Sequence, residues 1–148
     1  MTTQGNLKEI DSKDIFKSNI EAREWLLENI NTLEETLNDE LVNADHYKIL
    51  TDELRPDILA ESDKSHNKVS VKIQLNDITD EDFKNLLASA TATNANKVVW
   101  IVNKIDDKTR AILDWMNVRC EWKTQFIVLK LGVYTIDNSM PAVSLTRI

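Results

Sequence analysis

The strict alternation of apolar and polar side chains over residues 69–76 constrains the fold of this chain more than any other feature. A period of two is typical of a β-strand with one apolar and one polar face. The apolar positions are Val69, Val71, Ile73 and Leu75, and the polar positions are Ser70, Lys72, Gln74 and Asn76.

A second short apolar run, residues 56–60, comes just before this strand. Pro56 restricts Arg55 to an extended conformation, which favours the start of a strand. Residues 61–68 are polar and connect the two runs. The pair predicts two adjacent strands, with Asp57 on the first and polar side chains at alternate positions of the second.

The length and composition favour a single folded unit. The chain has 148 residues, of which 42% are hydrophobic, and only two glycines and two prolines, so no long flexible linker divides it. We expect one domain over residues 1–148, with a core at about 18–136 and an N-terminal polar segment at 1–17.

Three helices and further strands are predicted around the strand pair. Ser18 and Glu21 have capping-box spacing, and an apolar stripe follows them that Asn29 or Asn31 divides into two helical pieces. Thr79 with Asp82 begins a second helix, and either Asp106 or Asp107 caps a third. The stripe consists of Leu26, Ile30, Leu33, Leu37 and Leu41.

The remaining segments are predicted to be β-structure. Residues 47–50 suggest a strand, residues 97–102 a buried central strand, and residues 122–136 a β-rich segment in which Gly132 marks a bulge or turn. The last dozen residues are predicted to be irregular or an edge strand. The expected fold class is α/β (α+β), a mixed central sheet flanked by helices with an N-terminal helix or helix pair.

Six short motifs occur in the order of a known family. The chain resembles the PD-(D/E)xK superfamily of restriction-endonuclease-like nucleases, and more narrowly a prokaryotic branch of it with a PDILA, IEnQL, WLN and PAP pattern. The resemblance implies a restriction-endonuclease-like fold and runs from about residue 20 to the end. The matching pieces are Pro56-Asp57-Ile58-Leu59-Ala60, Ile73-Gln74-Leu75, Leu86-Leu87, Val99-Trp100-Ile101, Trp115-Met116-Asn117 and Asn138-Ser139-Met140-Pro141-Ala142.

The resemblance also implies a site. In such nucleases an acid on each of two strands binds Mg²⁺, and a polar side chain two residues beyond the second acid orients water. Asp57 matches the first acid and Gln74 the polar helper, but Lys72 occupies the position of the second acid. An ammonium group cannot bind a metal ion, so these three residues are expected to form a relic site in which Lys72 pairs with Asp57.

A second acid from elsewhere would restore metal binding. The candidates are Glu61 and Asp63 in the connection and Glu35 and Glu40 on the first helix, with solvent exposure as the alternative for each. If such an acid completes the site with Asp57, the expected cofactor is Mg²⁺; otherwise none is expected.

Three functions remain open from the sequence. The first is a catalytically impaired nuclease-fold protein that binds nucleic acid or another protein. The second is an active Mg²⁺-dependent endonuclease with a rearranged site, and the third is an acidic decoy that mimics DNA. A basic groove would favour nucleic-acid binding, and its members would be Lys68, Lys72, Lys84 and Lys97.

Charge and residue types limit the other possibilities. The net charge of −7 disfavours tight nonspecific binding to a phosphate backbone. One cysteine, Cys120, and two histidines, His46 and His66, give no disulfide and no zinc pattern. Trp100, Trp115 and Trp122 are expected to pack in the core, although exposure of the last two would mark an interaction surface. We expect a cytoplasmic protein with no membrane partner and a possible homodimer through a sheet edge.

Overall fold

A computed structural model describes residues 7–45, 56–119, 124–136 and 141–148. Five helices and seven strands lie in these ranges. The strands are β1 (Leu7–Ile10), β2 (Leu41–Asp45), β3 (Ile58–Ser62), β4 (Lys68–Gln74), β5 (Lys97–Val102), β6 (Gln125–Ile136) and β7 (Ala142–Arg147). The helices are α1 (Ser12–Ile15), α2 (Asn19–Glu28), α3 (Ile30–Leu37), α4 (Asp80–Thr93) and α5 (Asp107–Arg119).

All seven strands form one mixed sheet. The order is β1-β6-β5-β4-β3-β2, and β7 also pairs with β6. The pairs β4–β5 and β5–β6 are parallel, and the other pairs are antiparallel. The predicted mixed sheet with flanking helices is therefore confirmed at the level of the α/β class.

The sheet separates two apolar cores because alternate residues of its central strands point to opposite faces. One core joins α2, α3 and Phe16, which follows α1, to sheet residues such as Val71, Val99 and Leu129. The other joins α4 and α5 to Val98, Trp100 and their neighbours. The prediction that Trp100 packs in the core is confirmed, and the sheet is covered by helices on both faces.

The predicted helix starts are confirmed by their caps. The Ser18 hydroxyl accepts a hydrogen bond from the Glu21 N–H (3.2 Å), and α2 gives way to α3 at Asn29. Thr79 and Asp82 form a complete capping box at α4. The Asp106 carboxylate accepts from the Thr109 N–H (2.6 Å) at the start of α5. These caps depend only on nearby residues, which is why the sequence predicts them.

Other expectations are corrected. Leu41 does not extend the helical stripe, because α3 ends at Leu37 and Leu41 begins β2. Gly132 lies in a regularly paired part of β6, and the absence of a side chain there makes room for the Tyr134 ring, which would lie 2.7 Å from an added Cβ. The polar face of β4 is only partly exposed, since Ser70 is buried and Lys72 and Gln74 are half-buried.

The two ends of the chain add to the sheet. β1 and α1 lie within the N-terminal polar segment, and β7 forms the edge strand predicted for the last dozen residues. The strand predicted at 47–50, as well as His46, Cys120, Trp122 and residues 138–140, lies outside the described residues. Among the helices that the structure describes, none is long and apolar enough to cross a bilayer.

Candidate functional site

The β3–β4 hairpin brings Asp57 to the middle of β4. The Asp57 N–H donates to the Val71 carbonyl (2.9 Å), and the Asp57 Oδ2 accepts from the Ile73 N–H (2.7 Å). The regular β3–β4 pairing stops at Ile58 and Val71. The carboxylate therefore continues the ladder beyond the end of the strand by taking the place of a backbone acceptor.

Two cationic side chains act on the same carboxylate. Burial raises the pKa of Asp57, and the hydrogen bond from Ile73 and the positive charges of Lys72 and Arg23 oppose this rise without cancelling it. Lys72 comes from β4 and Arg23 from α2, and the Arg23 guanidinium also pairs with Glu24 (2.8 Å). The site thus combines one partly buried carboxylate with two positive charges, and the expected pairing of Lys72 with Asp57 is present as an electrostatic interaction.

Gln74 lies on the same strand as Lys72, two residues further along. It is the last residue of β4 and is partly buried. Two positions along a strand place its side chain on the same face as Lys72. Its carbonyl accepts from the Asn103 N–H (3.4 Å), which ties the end of β4 to the end of β5.

The four acids proposed to complete the site lie elsewhere. Glu61 lies in β3 opposite Lys68, four residues beyond Asp57 and therefore about 13 Å along the strand. Asp63 follows the far end of β3, and its N–H donates to the Glu40 carbonyl (2.9 Å). In the part of the chain that the structure describes, no three His, Cys, Asp or Glu side chains are grouped so as to hold a metal ion.

Three of those acids instead share an acidic cleft with other carboxylates. The cleft has a volume of about 650 Å³ and lies between α3, the turn before β2 and the β3–β4 connection. Its lining includes one lysine, Lys64. The other lining residues are Asn31, Glu34, Glu35, Asn38, Asp39, Glu40 and Asp63.

Asp39 lines the acidic cleft and accepts two side-chain hydrogen bonds. Burial alone would raise the pKa of Asp39, but hydrogen bonds from Ser62 (2.8 Å) and Lys97 (3.1 Å), with the charges of Lys97 and Lys64, lower it. Lys97 is thereby held in an ion pair with the protein's own carboxylate. The predicted basic groove loses this lysine, and the charge of Lys72 acts on Asp57.

Sequence reasoning missed two features. The charge of Arg23 acts on Asp57 although the two residues are distant in sequence, and no local pattern predicts that effect. Trp115 is 59% exposed, so the expectation that it packs in the core is wrong. Its spacing from Ile112 and Val118, three residues each way, was the available signal for an apolar stripe on one face of a helix.

The chain was compared with known proteins at three levels. No family model matches it, and no curated protein or solved structure is significantly similar to it. Its function is accordingly inferred from the residues around Asp57 and the acidic cleft.

Proposed function

We propose that this chain is a degenerate PD-(D/E)xK nuclease-fold protein that no longer cleaves nucleic acid and acts as a protein-binding module. The order of its elements supports the fold. A helix pair is followed by three consecutive antiparallel strands, a helix and a strand parallel to the third of them. The resemblance implies a hairpin, a helix and a strand in that order.

The environment of Asp57 carries the proposal. A hard cation such as Mg²⁺ is held by several oxygen ligands. The Oδ2 of Asp57 instead accepts a hydrogen bond from the Ile73 N–H (2.7 Å). The charges of Lys72 and Arg23 act on the carboxylate where a metal ion would provide the positive charge. A metal entering the same place would be repelled by both. Asp57 is thus used to stabilise the hairpin.

A protein partner is favoured over a nucleic acid by the state of the lysines. Lys97 is paired with Asp39, and Lys72 interacts with Asp57. Neutralising phosphates requires cationic side chains that are available on one face. With a net charge of −7, a basic or apolar protein surface is the better match.

The acidic cleft favours a second candidate. Its carboxylates are gathered on one side of the molecule around α3, as expected for an acidic decoy that occupies the binding surface of a nucleic-acid-binding protein. Both candidates bind a protein, but the decoy requires that protein to be basic.

Calorimetric titration with Mg²⁺ and Mn²⁺ tests the proposal on the wild type, Asp57→Ala and Lys72→Glu. We expect no saturable heat from the wild type at millimolar metal. Lys72→Glu restores the missing acid, so we expect it to gain saturable binding that the additional change Asp57→Ala abolishes. Lys84→Glu is the matched control, because it makes the same charge change on exposed α4 and should gain nothing.

Two results would contradict the proposal. Saturable binding to the wild type that is lost in Asp57→Ala would support an active endonuclease, to be followed by cleavage assays on plasmid and single-stranded DNA. A folded Lys72→Glu variant that binds no metal would show that positions 57 and 72 do not have the geometry of a two-acid site.

A further inference from the structure

We draw no further inference here: the strongest candidate, the exposed apolar stripe of Ile112, Trp115 and Val118 on the outer face of α5, carries none, because nothing in the part of the chain that the structure describes shows what covers it.

Discussion

The pKa values of Asp39 and Asp57 move in opposite directions from the ordinary value of an aspartate. Burial pushes both upward because it penalises the charged form. At Asp57 this effect exceeds the Ile73 hydrogen bond and the charges of Lys72 and Arg23. At Asp39 the hydrogen bonds from Ser62 and Lys97 and the nearby lysine charges prevail. Asp57 is buried more deeply than Asp39 and accepts fewer hydrogen bonds, and these two differences together decide the sign.

The raised pKa of Asp57 predicts how stability depends on pH. The pKa of Asp57 is 3.8 in the unfolded state and higher in the native state. The native state therefore keeps this proton to a higher pH, and the free energy of unfolding falls as pH rises from 3.8 through the native pKa. Asparagine does not titrate. The free energy of unfolding of the wild type relative to Asp57→Asn should therefore increase as pH falls toward 3.8, as measured by urea denaturation at several pH values and constant ionic strength.

Asp39→Asn is the control of opposite sign. The lowered pKa of Asp39 means that its contribution is present above 3.8 and is lost as pH falls through the native value. The free energy of unfolding of the wild type should therefore exceed that of Asp39→Asn by less in acid. Relative to Asp57→Asn, the free energy of unfolding of the wild type should instead increase in acid. Two differences that shift in the same direction would contradict the environment described for Asp57.

At the scale of elements, the sequence predicts what nearby residues determine. The capping box of Thr79 and Asp82 and the division at Asn29 depend on side chains within one turn. The alternation in β4 likewise marks the strand, although it does not reveal that α4 partly covers the polar face. The pattern fails where a distant element decides the outcome, as with the charge of Arg23 that acts on Asp57. At Trp115 the spacing from Ile112 and Val118 indicates an apolar stripe, but the spacing alone does not tell whether that stripe faces the core or the solvent.

The cap of α4 gives a prediction about one element. Thr79 accepts from the Asp82 N–H through its hydroxyl (3.2 Å), and Asp82 accepts from the Thr79 N–H (2.9 Å). Removing the hydroxyl in Thr79→Ala takes away the acceptor of the Asp82 N–H, so we expect a loss of about 1 kcal/mol in the free energy of unfolding, measured by urea denaturation.

The control for the cap lies on the same helix. Thr91 is exposed in the last turns of α4, and its hydroxyl donates to the Leu87 carbonyl (3.0 Å), which already lies within the helix. Thr91→Ala should be neutral or slightly stabilising, because alanine has the higher helix propensity. Equal losses in both variants would mean that the hydroxyl at Thr79 has no special role at the helix start.

At the scale of the whole molecule, the net charge limits which partners are attracted at long range. The chain carries a formal charge of −7, so it attracts a basic partner and repels a phosphate backbone. Salt screens both effects, over about 10 Å at 0.1 M.

The binding of nucleic acid at low salt therefore tests the choice of a protein partner. A labelled oligonucleotide mixed with the protein at about 50 mM NaCl should show no saturable rise in fluorescence anisotropy, because the acidic chain repels a phosphate backbone and low salt leaves that repulsion largely unscreened. Saturable binding at about 50 mM that weakens toward about 500 mM would show that cationic side chains are available on one face of the molecule. The proposed preference for a protein partner would then be wrong.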